Sequence, residues 1–226
     1  MEDKPYIPGY LKGTPIERLN SAYPLYLPTR FEECWTRHVN QAESVPTDYP
    51  IPPEVLLYYF EVDIIDKGED GYIGVGFAKD LEILEILPGW CPGTMGYHGD
   101  DGCKFYETGR GINYGPLYST GDTIGCCVNF VDQHIFYTKN GVNLGIAFEC
   151  ALKEDLFPII GLRTHGECVE ANFGTKPFKF DIDSYAKAFF SEPRIAAQIE
   201  GPKEILMRHI DIDVFDENLY KFYDFV

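Results

Sequence analysis

A chain of 226 residues with 45% hydrophobic content is long enough for one sizeable domain with extensions, and apolar enough to build a real core. Its 36 acidic residues against 19 basic ones leave a net charge of −17. That surface repels phosphate backbones and anionic lipid, which excludes nucleic acid and membrane surfaces as expected partners; basic segments of other proteins suit it, and so does a purely solubilising role.

Sixteen Tyr, sixteen Phe, 22 Gly and 16 Pro favour strands and tight turns over long helices. Seven cysteines make no regular framework and no CxxC pair to grip zinc, and Cys126 and Cys127 are adjacent. Neighbours on a strand point to opposite faces, which suits a half-buried strand with free thiols, and hence a reducing compartment. The start, Met1-Glu2-Asp3-Lys4-Pro5, lacks the basic-then-apolar run of a secretory signal. No apolar stretch reaches the roughly 18 residues that a membrane span needs. A cytoplasmic location, with the nucleus as a second compartment, is the expectation.

Residues 1–48 read as an irregular extension rich in Pro and Tyr, with a short helix near Phe31–Val39. From Val55 the texture changes: Leu57–Ile64 is a β-rich run, Gly68-Glu69-Asp70-Gly71 a turn, and Tyr72–Phe77 the next strand. A Gly-rich stretch over Leu87–Pro116 reads as a long loop. Strands follow at Asp122–Phe130 and His134–Thr138, and Asn140-Gly141 signals a tight hairpin into Asn143–Phe148. Phe157–Leu162 and Cys168–Phe173 complete the set. Such spacing without intervening helices predicts an all-β, antiparallel sandwich. The tail, 186–226, is expected to be partly helical (Ser184–Glu200, interrupted by Pro193) and then acidic-aromatic.

Few patterns along the chain point to chemistry. Gly74-Val75-Gly76 is a fragment of a dinucleotide fingerprint, but Lys79 stands where the third glycine belongs, and sheet glycines explain it better. Gly99-Asp100-Asp101-Gly102 lacks the alternating acids and closing Glu of a calcium loop, so a turn capped by Asp side chains is the reading. His98 with Asp101, His165 with Glu167, and Cys103 near His98 resemble acid–base or nucleophile pairs, yet no catalytic elbow or zinc helix accompanies them. No catalysis, metal or cofactor is expected. Trp90, Tyr97 and Tyr106 lie in the Gly-rich stretch, where aromatics serve as interface anchors; Trp90 equally suits an edge of the core.

Several motifs in order carry a resemblance. They are Leu87-Pro88-Gly89-Trp90, Gly96-Tyr97-His98-Gly99-Asp100-Asp101-Gly102, Tyr114-Gly115-Pro116 and Thr120-Gly121-Asp122-Thr123-Ile124-Gly125-Cys126-Cys127-Val128-Asn129. Phe136-Tyr137-Thr138-Lys139-Asn140-Gly141, Leu144-Gly145-Ile146-Ala147-Phe148 and Ala171-Asn172-Phe173-Gly174 continue the series. From about Tyr49 to Tyr185 the chain resembles the SPRY domain of the RanBPM family (Ran-binding protein of the microtubule-organising centre, with its fungal Gid relatives). The resemblance implies a concanavalin A-like jelly roll of two antiparallel sheets whose rim loops bind short peptide segments of partner proteins. It also implies a scaffold or substrate-receptor role in the GID/CTLH ubiquitin-ligase assembly. Glycan binding is the third reading, by likeness of architecture to lectins.

By that resemblance the partner-binding residues are Trp90, Tyr97, His98, Asp100, Asp101, Arg163, Thr164 and His165, presented by a backbone curved at Gly96, Gly99 and Gly102. Both ends depart from the family. Pro28–Asp48 does not reproduce the strands that relatives carry there, so one or two strands are expected to be missing and an edge left to be covered. Past Tyr185 the LisH and CTLH helices of relatives are not recognisable.

Overall fold

The computed structural model describes residues 35–36, 42–52, 55–79, 81, 85–149, 155–192 and 195. Among these, 35–173 together with Phe178–Phe180 make one compact unit, and Gly174–Pro177 with 181–195 belong to a second.

The first unit is the antiparallel sandwich. Its strands are β1 (Trp35–Thr36), β2 (Glu43–Pro46), β3 (Leu57–Lys67), β4 (Gly74–Ala78), β5 (Thr94–His98), β6 (Cys103–Tyr106), β7 (Ile112–Asn113), β8 (Thr123–Asn129), β9 (His134–Lys139), β10 (Val142–Glu149), β11 (Phe157–Leu162) and β12 (Glu167–Asn172). One sheet runs β1-β12-β3-β8-β9-β10 and the other β2-β11-β4-β5-β6-β7, with every pairing antiparallel. Alternation decides which side chains meet between them. Tyr58, Phe60, Val62 and Ile64 of β3 enter the core with Val75 and Phe77 of β4, Met95 and Tyr97 of β5, and Ile124, Cys126 and Val128 of β8.

The opposite face of β3 is also buried, because the chain returns over it. Tyr59 packs edge-on against Phe178 at 4.9 Å between centroids and lies 5.5 Å from Phe180. Between them the Glu61 carboxylate accepts the Tyr59 hydroxyl at 2.8 Å, the Lys179 N–H at 2.9 Å and the Phe180 N–H at 3.0 Å. This 3%-exposed carboxylate therefore fastens the returning backbone to the sheet. Gly125, opposite Glu61 on β8, makes room: a Cβ there would stand 1.9 Å from the Tyr59 hydroxyl.

At the far edge, β10 is irregular, with register shifts around Ile146 and Gly145 at φ +87°. Two side chains reach its carbonyls. The Tyr114 hydroxyl accepts the Tyr137 N–H of β9 at 3.1 Å and donates to Gly145 O at 2.6 Å, and Lys104 Nζ donates to Ala147 O.

In the second unit, α1 (Ile182–Phe190) is capped by Asp181, whose carboxylate accepts the Ser184 N–H at 2.9 Å and is held below its usual range by that bond. Ile182, Ala186, Phe189 and Phe190 are its buried residues, the spacing of one helical face. No helix among the described residues is long and apolar enough to cross a membrane.

Several expectations change. The Gly-rich stretch from Leu87 to Pro116 is not one loop: it holds β5, β6 and β7, hidden because glycine interrupts their alternation. The helix expected near Phe31–Val39 gives way, at Trp35–Thr36, to a strand, and the rest of that segment lies outside the described residues. The edge expected to lack strands is occupied: β1 stands beside β12 and β2 beside β11, both from the stretch read as irregular. The tail helix starts at Ile182 and ends at Phe190, before Pro193, while residues 196–226 lie outside the description. Cys91, Cys103, Cys126 and Cys127 are free as expected, but Cys168 is disulfide-bonded.

The Glu61 anchor gives a stability prediction. Glu61→Ala leaves two backbone N–H groups and a tyrosine hydroxyl without their acceptor, so chemical denaturation should show a loss of about 2–4 kcal/mol. Glu61→Gln, which keeps one accepting oxygen, should lose distinctly less; equal losses would contradict the anchoring role.

Candidate functional site

A segment lying across the outer face of the second sheet builds the site. Gly161 of β11 pairs with Gly74 of β4, which pairs with His98 of β5, and Gly96 is on the same face. A Cβ at Gly161 or Gly74 would come within 2.5 or 2.9 Å of the Pro88 ring, and one at Gly96 within 2.3 Å of the Pro88 carbonyl oxygen. Only a glycine floor lets Pro88 lie that close.

Four successive carbonyls of this strap are then satisfied. Ser44 Oγ donates to Ile86 O at 2.5 Å, the Trp90 N–H to Leu87 O at 3.2 Å, His98 Nε2 to Pro88 O at 2.8 Å, and the Thr108 N–H to Gly89 O at 2.9 Å. A carbonyl only accepts, so Nε2 carries the imidazole proton. Burial lowers the His98 pKa to about 4, which keeps the ring neutral.

Trp90 ends the strap. Its ring lies 5.6 Å from His98 and 6.2 Å from Phe105, and the Arg163 guanidinium stands over it at 5.3 Å. Arg163 also stands over Tyr72 at 4.9 Å. Both walls are tied to one buried carboxylate: Glu167 accepts the Arg163 N–H at 2.6 Å and the Thr164 N–H at 2.8 Å, along with the Thr164 hydroxyl and the Tyr72 N–H. Burial pushes the Glu167 pKa up despite these bonds.

Asp100, in the β5–β6 turn, completes the group. Burial raises its pKa to about 6; Asp101 adds to the rise and Arg163 opposes it. Asp100 Oδ1 and Trp90 Nε1 are both buried and make no hydrogen bond among the described residues.

The residues expected at a binding rim thus divide. Trp90, Asp100 and Arg163 come together, with Asp101 and His165 exposed on the same two loops. Tyr97 is a correction: alternation within β5 turns it into the core, where its ring meets Tyr114, Tyr118 and Tyr137 at 5.1–5.3 Å and its hydroxyl donates to Pro116 O. His98, on the opposite face of β5, is 1% exposed beneath the strap, so it supports the site from below. Thr164 is likewise buried and spends its hydroxyl on Glu167. Gly96 and Gly99 serve close approach, to Pro88 and to Tyr118, rather than presentation of a rim.

The imagined catalytic pairs dissolve in the same way. His98 is engaged by Pro88, and Glu167 by loop backbone. The Cys103 thiol is pushed up by burial and then by Asp101, away from the thiolate a nucleophile needs. Asp101 caps the Cys103 N–H at 2.8 Å, the turn chemistry expected of it. Among the described residues no group of three His, Cys, Asp or Glu side chains could hold a metal ion. Tyr106 lies elsewhere, on β6 beside Phe148 at 5.9 Å. Sequence reasoning missed Tyr72, which reads as an ordinary strand residue after a turn, and missed Glu167 as the anchor of both Tyr72 and the Arg163–Thr164 loop.

The SPRY domain family model matches residues 57–176. Ran-binding protein 9 of Xenopus laevis is 52% identical over 159 residues, which cover 70% of this chain and 28% of that protein. The Ran-binding proteins 9/10 homolog of Drosophila melanogaster is 56% identical over 142 residues, 63% of this chain and 15% of that protein. The Ran-binding protein M homolog of Arabidopsis thaliana is 32% identical over 190 residues, 82% of this chain and 40% of that protein. The chain therefore spans less than half the length of these relatives. The crystal structure of a human SPRY domain matches with a TM-score of 0.57 and 29% identity, covering 64% of this chain and 93% of that one. The SPRY domain of human HERC1 shares the fold, with a TM-score of 0.53 at 17% identity. The chain belongs to the SPRY domain family, and its SPRY domain resembles that of the Ran-binding protein 9/10, or RanBPM, proteins.

Proposed function

We propose that this chain is a non-catalytic interaction module that binds peptide segments of partner proteins at the Trp90–Arg163–Asp100 rim. The observation that carries the reading is the pair of buried polar atoms, Trp90 Nε1 and Asp100 Oδ1, that no group among the described residues satisfies. Leaving such atoms unpaired costs roughly 1–3 kcal/mol each, a cost that a ligand offsets when it brings the partner atoms. They sit beside a half-buried aromatic–guanidinium stack on loops held from below, the arrangement of an interface hot spot. The likeness to RanBPM proteins supports the same reading, and extends it to a receptor or scaffold place in a GID/CTLH-type ligase working in the cytoplasm or nucleus.

Affinity capture from a cytosolic extract tests this directly. Arg163→Ala and Trp90→Ala should each lose specific partners by about 30-fold or more, as truncated hot spots do, while Ile112→Ala, at an exposed position on β7, should retain them. Equal capture by the rim variants, with melting temperatures unchanged, would defeat the proposal. Recovery of ligase subunits with the wild type would favour the receptor role, and their absence the free-standing adaptor.

Asp100 gives a second check. Its folded pKa, about 6, lies above the ordinary value of 3.8, so the stability it permits is fully present below pH 4 and is lost as pH rises through 6. Asp100→Asn should therefore raise the melting temperature at pH 7.5 and leave it unchanged at pH 4, while binding weakens. A variant both less stable and unaltered in binding would mark Asp100 as structural.

A further inference from the structure

Asn140-Gly141 is the only Asn-Gly pair in the chain. It makes the two-residue turn between β9 and β10, with φ of +51° at Asn140 and +81° at Gly141. In an open chain such a pair readily loses ammonia, because a glycine carries no side chain to hinder its nitrogen from attacking the neighbouring amide. Asn140 is exposed, so water reaches it.

Both ends of the Asn140 amide are nevertheless held. Its Oδ1 accepts the Thr123 N–H at 2.8 Å, and its Nδ2 donates to Asp122 Oδ1 at 2.8 Å. The Asn140 N–H also donates to Thr123 O at 2.8 Å, which fixes the backbone beside the amide. Asp122 is fixed in turn: its other oxygen accepts the Ser119 N–H at 2.9 Å and stands 3.0 Å from Lys139 Nζ. Burial would raise the Asp122 pKa, but the bonds from Asn140, Ser119 and Lys139 outweigh it and hold the carboxyl below its usual range. The acceptor for Nδ2 is therefore charged at neutral pH.

We propose that Asn140 is a latent deamidation site, gated by the clamp that Asp122 and Thr123 close on its side chain. The step needs only water. The Gly141 nitrogen gives its proton to solvent and attacks Asn140 Cγ. A C–N bond forms, the Cγ–Nδ2 bond breaks, and Nδ2 leaves as ammonia with a proton from water. Water then opens the cyclic imide at either carbonyl, giving aspartate, or isoaspartate with the main chain routed through the side chain. Ring closure brings Cγ to the Gly141 nitrogen and out of the plane in which Thr123 and Asp122 hold the amide. Both amide bonds must open first.

Conversion reaches beyond the turn. A carboxylate at position 140 would face the Asp122 carboxylate where an N–H donor stood. An isoaspartate would lengthen a connection whose geometry suits two ordinary residues. The strap over β3 meets the same turn: a Cβ on Gly141 would stand 2.7 Å from Lys179 O, and Lys179 Nζ donates to Thr123 Oγ1 at 2.5 Å. The turn, the start of β8 and the strap therefore loosen together.

The folded full chain is incubated at neutral pH, and aspartate and isoaspartate at position 140 are followed by peptide mass spectrometry. A synthetic peptide copying residues 136–146 reports the unclamped rate. The folded chain should convert at least about 10-fold more slowly than the peptide, because opening must break the bonds of the clamp. Asp122→Ala removes the Nδ2 acceptor and should raise the rate in the folded chain by about 10-fold. Lys139→Ala leaves both amide bonds in place and should raise it far less. Asp122→Asn, which keeps a neutral acceptor, should fall between them, and it takes the place of Asp122→Ala if that variant does not fold. Asn140→Asp, the simpler product, should melt about 2–4 °C below the wild type.

A folded chain that converts as fast as the peptide would overturn the proposal. So would wild-type rates in the folded Asp122 variants. Acceleration matched by faster hydrogen exchange of the core amides of β3 and β8 would mark opening of the whole domain, and would overturn the clamp as the gate.

Discussion

The contact between Pro88 and a floor of three glycines is the constraint on which the site depends. Gly161, Gly74 and Gly96 come from three adjacent strands, and a single added methyl at any of them would meet Pro88 closer than real Cβ atoms approach. The strap can lie flat only there, and only when flat do its four carbonyls reach Ser44, Trp90, His98 and Thr108. Trp90 then has no freedom to choose its place. The stack of Tyr72, Arg163 and Trp90 is preorganised by the backbone packing beneath it, which would lower the entropic cost of the peptide binding proposed above.

Each sheet of the sandwich is therefore covered twice, by the other sheet on its inner face and by a strap on part of its outer one. The two straps are secured by different chemistry. Over β3, the Glu61 carboxylate takes N–H groups from Lys179 and Phe180, a charged acceptor for backbone donors. Over β5, the neutral His98 imidazole gives a proton to the Pro88 carbonyl, a donor for a backbone acceptor. In both cases a polar residue on an outward-facing strand position is buried because the chain comes back over it, which is why outward polarity misleads on burial.

That point decides how much was legible in the sequence. The alternation of Leu57–Ile64, the Asn140-Gly141 hairpin and the clear strands from Asp122 onward mark the sandwich, because their side chains read inside from outside directly. β5 and β6 were opaque: Gly96 breaks the alternation of Thr94–His98, and its purpose, clearance for Pro88, is a contact between residues eight apart that only the fold reveals. At the candidate site, Trp90 was singled out as an aromatic of the Gly-rich stretch, and Asp100 and Arg163 through the family resemblance. Tyr97 was misplaced because a tyrosine beside a histidine in a Gly-rich stretch looks like a loop anchor, whereas strand alternation sends the two to opposite faces and buries both. Tyr72 stayed hidden since nothing local announces that Glu167, 95 positions later, will hold its N–H beside that of Arg163.

The irregular β10 edge has a consequence for how this domain behaves at high concentration. A sheet edge is a template for a foreign strand because its outward carbonyls and N–H groups stand open in register. Here the β9–β10 ladder is itself interrupted: the Tyr114 hydroxyl accepts the Tyr137 N–H of β9 and donates to Gly145 O of β10, and the register shifts on either side of Ile146. The exposed Val142 and Ile146 therefore lie on an edge without a continuous register, a poorer template for edge-to-edge polymers than a regular flat strand.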